Sequence, residues 1–240
     1  MPATTNIRGA SMPRACGGLR GHRAWGLRFK RLLDVALSIG LLAVFALPMV
    51  LVALAIRLTM GPPVLFRQRR PGKDRKEFTL LKFRTMTDAR DANGRPLPDS
   101  QRLTPLGRLL RKTSLDELPQ LINVLRGEMS LVGPRPLLSR YLPYYTARES
   151  LRFSVPPGIT GWAQIHGRNA LGWDDRLALD AWYVENWSLG LDLRILAKTV
   201  LCLFRRRGVV VDTSSQELPD LDHQRRAFRE QSRHVPNPAG

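Results

Sequence analysis

Val35-Ala-Leu-Ser-Ile-Gly-Leu-Leu-Ala-Val-Phe-Ala-Leu-Pro-Met-Val-Leu-Val-Ala-Leu-Ala-Ile56 is a run without a single charged side chain. As a helix it would reach roughly 33 Å, about the thickness of a bilayer hydrocarbon core, so the segment is expected to enter lipid. A signal peptide fits it poorly. The run begins late, is long for the apolar part of a leader, and has no small-residue cleavage pattern before the next basic block. A buried helix of a soluble core is the other reading that length and apolarity allow.

The flanks bear on whether the segment crosses. Arg8, Arg14, Arg20, Arg23, Arg28, Lys30 and Arg31 precede it, and Arg57, Arg67, Arg69, Arg70 and Lys73 follow it. The positive-inside tendency favours both flanks in the cytoplasm, which one span cannot satisfy and a helix that dips in and returns can. Pro48, near the middle, removes a backbone hydrogen bond and clashes with the preceding turn, so a bend is expected there. The re-entrant reading stands ahead of an ordinary span. It needs a side chain such as Ser38, or packed protein, to satisfy the freed carbonyl.

The chain of 240 residues is 43% hydrophobic and carries 38 Lys and Arg against 20 Asp and Glu, a formal net charge of +18. The partner surface is therefore anionic: nucleic acid, membrane headgroups or a phosphorylated substrate. No recognised nucleic-acid module accompanies the charge, so no nucleic-acid partner is expected, and a membrane-tethered nucleic-acid binder stands as the non-enzymatic rival. Cys16 and Cys202 suggest no disulfide framework, and no metal-ligand spacing is present.

The organisation expected is a basic disordered arm over residues 1–29, the membrane helix over 30–58, one catalytic domain over 59–208 and a polar disordered tail over 209–240. Residues 63–68 and 77–84 read as strands around the turn-forming Pro71-Gly72-Lys73-Asp74, a β-hairpin. Asp88 to Gln101 reads as a loop, and Leu103, Leu106, Leu109 and Leu110 have helical spacing. Leu137 to Ser150 is a helix candidate, followed by an irregular stretch from Pro156 to Asn169. Leu177 to Trp187 and Leu191 to Arg206 read as helices, the last with Arg194, Lys198 and Arg205 in a narrow arc that suits the headgroup plane. The fold class is α+β. The apolar helices leave a homodimer open.

Ser114-Leu-Asp-Glu-Leu-Pro-Gln-Leu-Ile-Asn-Val-Leu-Arg-Gly-Glu-Met-Ser-Leu-Val-Gly-Pro-Arg-Pro136 sets two adjacent carboxylates, Asp116 and Glu117, just ahead of a phosphate-type anchor. Helix capping is the bland explanation, because Ser114 and Glu117 fit a capping box. Pro119 opposes it, since its missing N–H falls where a helix begun at Ser114 would need a donor. Lys82, Arg84, Arg111, Arg135 and Arg168 stand in structured segments and could form an anion pocket. Arg135 is held between Pro134 and Pro136, which would aim its planar fork at phosphate oxygens.

Lys82-Phe-Arg-Thr-Met86, Arg111-Lys-Thr-Ser-Leu-Asp-Glu-Leu-Pro-Gln-Leu121, Met129-Ser-Leu-Val-Gly-Pro-Arg-Pro136, Pro157-Gly-Ile-Thr-Gly-Trp-Ala-Gln164 and Gly167-Arg-Asn169 together resemble, in order, the bacterial sugar transferase family, the monotopic phosphoglycosyl transferases in their compact form. The match covers about Lys30 to Gly208. The resemblance implies an enzyme of the bacterial inner membrane, facing the cytoplasm, with a re-entrant helix bent at Pro48. It would move a sugar 1-phosphate from a UDP-sugar to undecaprenyl phosphate, release UMP, and initiate exopolysaccharide, capsule or O-antigen synthesis. Asp116 would be the nucleophile, Glu117 a ligand of Mg²⁺, and Lys82, Arg111, Arg135 and Arg168 would organise phosphates. Direct metal-assisted attack without a covalent intermediate stays open. Glu128, where many relatives carry Asp, and His166 depart from the pattern without touching the dyad.

Overall fold

The computed structural model describes residues 17–167, 171–205 and 220–226. The apolar run forms the centre of helix α1 (Gly17–Met60), which includes Pro48 and is about 66 Å long at ~1.5 Å per residue. The expected arm is thereby corrected from Gly17 onward. Arginine and leucine, which dominate residues 19–33, are strong helix formers, and the charges there do not prevent extension of the apolar helix toward the N-terminus.

Lys30, Asp34, Ser38, Leu42, Phe45, Met49, Val52, Ile56 and Met60 recur every three or four residues and therefore share one face of α1. That face lies along the rest of the protein for about 45 Å. Lys30, Asp34, Ser38 and Ile56 are buried in it. Leu42 packs on the main core, and Met49, Val52 and Met60 pack with Phe83 and Leu110 in a second cluster. The opposite face exposes Leu32, Ile39, Val44, Leu47, Val50, Leu51, Leu54 and Leu58. From Gly26 to Met60 the helix is long and apolar enough to cross a membrane, and little of its most apolar stretch is buried within the protein. An apolar face this extensive marks membrane association. The Ser38 hydroxyl is buried without a hydrogen-bond partner among the described residues. A helical serine reaches back toward i−3 or i−4, whereas the carbonyl that Pro48 releases, at Val44, lies ahead, so Ser38 does not serve it.

After α1 comes the expected hairpin, β1 (Leu65–Pro71) antiparallel to β2 (Glu77–Phe83), with Leu65 opposite Phe83 and Pro71 opposite Glu77. A short helix α2 (Asp99–Arg102) closes what reads as a loop, and α3 (Pro105–Thr113) follows, capped by the Thr104 hydroxyl accepting from the Gly107 N–H. A 3₁₀ turn (Leu115–Glu117) leads to α4 (Gln120–Arg126), then β3 (Ser130–Val132) pairs in parallel with β4 (Gly158–Thr160). The chain ends its described core with α5 (Trp162–Ile165), α6 (Trp173–Glu185) and α7 (Leu189–Arg205).

Three expectations are corrected here. Leu137 to Ser150 is no α-helix: Ser139–Tyr144 and Glu149–Ser154 are separate 3₁₀ segments, the first containing Pro143, which has no N–H for a helical ladder. The stretch from Pro156 is irregular only in part, since it supplies β4 and α5. Within the tail, residues 221–226 are helical. Leu221 is fully buried against Tyr141, Trp173 and Leu177, Asp220 accepts from the Arg140 guanidinium and the Tyr141 hydroxyl, and Arg225 pairs with Glu149 and Asp174. Helix α7 buries Ile195 in the main core with Phe78, Leu80, Leu121, Val124, Leu131 and Tyr183, and exposes Leu193, Val200 and Leu201. The architecture is a mixed α+β fold built along one face of α1.

Candidate active site

The dyad sits where three elements are forced together. Gly107 lets α3 touch the end of β2: a Cβ there would meet the Thr85 carbonyl oxygen at 1.9 Å. Ser114 ends α3 in the left-handed region at φ 59°, and its side chain makes no capping bond. The chain therefore turns sharply, and Asp116 and Glu117 ride on the 3₁₀ turn instead of opening a capped helix. Pro119 caps α4 by position, without a side-chain acceptor. The departure from a capping box that Pro119 signals in the sequence is thus present.

Glu117 is the charge centre. Its Oε1 accepts from Lys82 Nζ at 2.8 Å and from Arg135 Nη2 at 2.6 Å. Burial works against its charge, yet Arg135 and Lys82 hold its carboxyl well below the usual range. Arg135 is correspondingly raised by Glu117. For Lys82 burial outweighs its partner, and its pKa is lowered. Asp116 is 7% exposed and makes no such pair among the described residues. Burial and the neighbouring Glu117 charge push it up to about 6, against the pull of Lys82, Arg135 and Arg111. It is ionised at neutral pH yet poorly solvated, the state of a usable nucleophile.

Arg135 is aimed by its surroundings. It follows β3, where the Gly133 and Gly158 backbones approach so closely that a Cβ on Gly158 would stand 2.1 Å from the Gly133 nitrogen. The Gly158 N–H donates to the Pro134 carbonyl, and buried Arg152 donates to the Arg135 carbonyl. Arg152 in turn pairs with buried Asp180 of α6 at 3.2 Å.

The dyad opens into a cleft of about 1740 Å³. Lys82, Arg111, Asp116, Glu117 and Arg135 line its polar part, and Leu41 and Phe45 of α1 with Leu196 and Val200 of α7 line an apolar part. Arg84 also reaches the cleft, but each of its nitrogens donates within the protein: Nε to Met86, Nη1 to the carbonyls of Met60, Gly61 and Pro62, and Nη2 to Asp88. It clamps the end of α1 to β2 and has little left for a phosphate. Arg168 lies outside the described residues. Glu128 accepts from Asn123, and the His166 ring lies tilted against Trp162, both away from the dyad. Arg70, Arg176 and Asp180 also line the cleft. Arg70 reads in the sequence as one more flanking charge, and the signal for Asp180 is a lone acid among apolar neighbours in α6.

Among the described residues no group of three or more His, Cys, Asp or Glu side chains is placed to hold a metal by itself. Mg²⁺ ordinarily uses one or two protein carboxylates together with substrate phosphates. Glu117, with Asp116 beside it, fits that mode: its oxygens already face two cations, so a divalent ion would join them only with the offsetting charge of a diphosphate.

The model of the family described as "Bacterial sugar transferase" matches residues 25–206. The chain is 55% identical over 180 residues to "Uncharacterized sugar transferase EpsL" of Bacillus subtilis, covering 75% of this chain and 89% of that one. It is 42% identical over 205 residues to the "UDP-glucose:undecaprenyl-phosphate glucose-1-phosphate transferase" of Caulobacter vibrioides, covering 80% and 72%. With the "Undecaprenyl-phosphate galactose phosphotransferase" of Salmonella typhimurium it shares 40% over 197 residues, 75% of this chain and 41% of that one. The matched span runs from α1 to α7 and holds the dyad with all its described cationic partners, so the chain belongs to the bacterial sugar transferase family and is an enzyme of the transferase class.

Proposed function

We propose that this enzyme transfers a sugar 1-phosphate from a UDP-sugar to undecaprenyl phosphate, in the initiation of a bacterial surface polysaccharide. The observation that carries the reading is the buried Asp116, without an ion pair among the described residues, beside an ion-paired Glu117, at the junction of a cationic and an apolar cleft wall. The relatives named for undecaprenyl-phosphate transfer of glucose 1-phosphate and galactose support the substrate classes.

In the first step an Asp116 oxygen attacks the sugar-proximal phosphorus. An O–P bond forms, the bond to the bridging oxygen breaks, and UMP leaves. In the second, an oxygen of undecaprenyl phosphate attacks the same phosphorus, freeing the Asp116 carboxylate and giving the lipid-linked diphosphosugar. Lys82, Arg111 and Arg135 stabilise the charge spread over the phosphoryl oxygens. Bound at Glu117 with the diphosphate, Mg²⁺ would supply further neutralisation of phosphate charge. Covalent division of the reaction lets a soluble donor and a lipid acceptor use one nucleophile in turn.

The contact of α1 with the domain along its length, from Lys30 to Met60, supports a monotopic placement on the cytoplasmic face of the inner membrane, with α1 re-entrant. The test of the chemistry uses the full chain in detergent. Incubated with a panel of UDP-sugars and no lipid, the wild type is expected to gain the mass of one phosphosugar and release UMP, and Asp116→Asn to do neither while still entering membranes. Turnover retained in Asp116→Asn would remove the nucleophile.

A further inference from the structure

Arg135 stands near the start of a long connection. Between β3, which ends at Val132, and β4, which begins at Gly158, the chain forms no α-helix and no strand, only the 3₁₀ segments Ser139–Tyr144 and Glu149–Ser154. Such turns bond their own backbone poorly, so the connection is held mainly by what packs on it. One support is Arg152, whose side chain is 3% exposed. It donates from Nη2 to the Arg135 carbonyl, pairs with Asp180 of α6 at 3.2 Å, and donates from Nη1 to the Tyr145 hydroxyl at 3.3 Å. The Tyr145 and Phe153 rings meet edge to face at 5.4 Å, and the Arg152 guanidinium lies 5.5 Å and 5.8 Å from their centres. This cluster bears on the Arg135 backbone through a direct hydrogen bond.

The other support comes from residues 220–226, which lie beyond residues 25–206, the span that matches the family. Leu221 is fully buried with Tyr141, Trp173 and Leu177, and Leu137, Leu138 and Tyr145 pack on the same cluster. Asp220 accepts from Arg140 and from the Tyr141 hydroxyl. Arg225 pairs with Glu149 at 2.8 Å and with Asp174, and Arg226 Nε donates to the Tyr144 hydroxyl at 2.6 Å. These contacts fall on both 3₁₀ segments and on the first turn of α6, and none of residues 220–226 lines the cleft. The segment therefore acts on the connection and not on a substrate. Leu137, two residues after Arg135, does line the cleft, and Tyr145 is bonded to Arg152. Two routes thus run from Leu221 to the Arg135 backbone, one through Leu137 and one through Tyr145 and Arg152.

We propose that residues 220–226 are a strap that positions Arg135, with Leu221, Tyr145 and Arg152 as its positioning residues. The proposal rests on the reading above, in which Arg135 stabilises phosphoryl charge during transfer from a UDP-sugar. Glu117 fixes the tip of the Arg135 side chain at 2.6 Å, and the strap fixes the backbone from which that side chain springs. A guanidinium stabilises a transition state only from within hydrogen-bond reach of the charged oxygens, and a displacement of about 1 Å can cost about a hundredfold in rate.

The experiment measures steady-state UMP release by the full-length protein in detergent, well below the thermal midpoint, together with amide hydrogen exchange. Leu221→Ala is expected to lower kcat by about ten- to a hundredfold with KM for the UDP-sugar little changed. It should also speed exchange over residues 135–154 while the hairpin of β1 and β2 keeps its protection. Arg225→Gln, which loses Glu149 and Asp174 but leaves the apolar cluster, should act in the same direction to a smaller degree, and it replaces Leu221→Ala if that variant fails to fold. In an Arg135→Lys background, where the fork is already lost, Leu221→Ala should lower kcat far less than in wild type. A strap that only stabilised the fold would lower the midpoint and cost the same factor in both backgrounds. Unchanged kcat in the folded variant, equal fold losses in the two backgrounds, or exchange over 135–154 no faster than in wild type would each overturn the strap and leave the reaction standing. A wild type that releases no UMP from any UDP-sugar, with exchange over 135–154 still faster in the variant, would bring down the transfer reading and the positioning role with it.

Discussion

Asp192→Ala tests what fastens the membrane helix to the catalytic body. The Asp192 carboxylate accepts from Lys30 Nζ of α1 at 2.6 Å, from the Tyr183 hydroxyl of α6 at 2.7 Å and from Trp187 Nε1 at 3.1 Å. Lys30 also donates to the Val132 carbonyl at 3.0 Å, on the strand that leads into Arg135. The Lys30 side chain is only 10% exposed. With Asp192 gone, its ammonium keeps one carbonyl, the Tyr183 hydroxyl keeps only the Val132 carbonyl at 3.2 Å, and Trp187 Nε1 loses its acceptor. Breaking a buried pair by removing one partner costs about 3–5 kcal/mol. In a chain of this size each kcal/mol moves the midpoint by about 2–4 °C, so a fall of roughly 6–20 °C is expected. Tryptophan fluorescence during a thermal ramp in micelles reads it, with Trp187 as a local reporter. Lys30→Met combined with Asp192→Leu removes both charges and should recover much of the loss, because well-packed apolar replacements of buried pairs are often neutral. A midpoint for Asp192→Ala within about 3 °C of wild type, the shift of ~1 kcal/mol, would refute the view that this network fastens α1.

Two further outcomes are expected. Leu221→Ala, which empties a fully buried position against Tyr141, Trp173 and Leu177, should destabilise the protein by about 2–5 kcal/mol; an unchanged midpoint would mean that residues 220–226 do not dock in solution. In a background lacking Cys16 and Cys202, Leu27→Cys and Leu58→Cys, both exposed, should react with a membrane-impermeant maleimide from the cytoplasmic side alone. Labelling from opposite sides would convert α1 into an ordinary span.

What the sequence disclosed depended on how local the signal was. The hairpin was legible because its turn and both strands lie within residues 63–84, and Pro119 announced the broken cap because its missing N–H acts within one turn. Strands β3 and β4 are three residues each, too short for any alternation, and they pair across the interval from Ser130 to Gly158. The segment Leu137 to Ser150 had apolar spacing that suggested a helix, but Pro143 and anchoring by tail residues such as Leu221 produce 3₁₀ turns. That docking rests on one leucine and a few ion pairs, a pattern without periodicity. Basic residues were the hardest to sort. Arg84 and Arg70 look alike as letters, yet one is engaged by backbone carbonyls and the other lines a cleft without a carboxylate partner among the described residues. Only the fold decides which guanidinium has charge left to offer.

The orientation of α1 and the chemistry of the cleft constrain one another. Were α1 to stand upright through a bilayer, the body packed along its face for about 45 Å would be carried into hydrocarbon. With it would go Arg67 and Arg69 on β1, both exposed, each costing at least about 2.5 kcal/mol at the membrane centre. Laid shallowly, the same helix turns its exposed Val44, Leu47 and Leu51 to lipid while Leu41 and Phe45 form the apolar side of the cleft. The charged side, with Lys82, Arg111 and Arg135, then remains within reach of water. A polyprenyl phosphate has this same division, an apolar chain ending in a charged head, and in that placement its head would arrive at Asp116 without leaving the interface. On the proposed chemistry, Asp116 and the membrane helix are two parts of one requirement: a phosphorus atom delivered from water would have to meet an oxygen delivered from lipid.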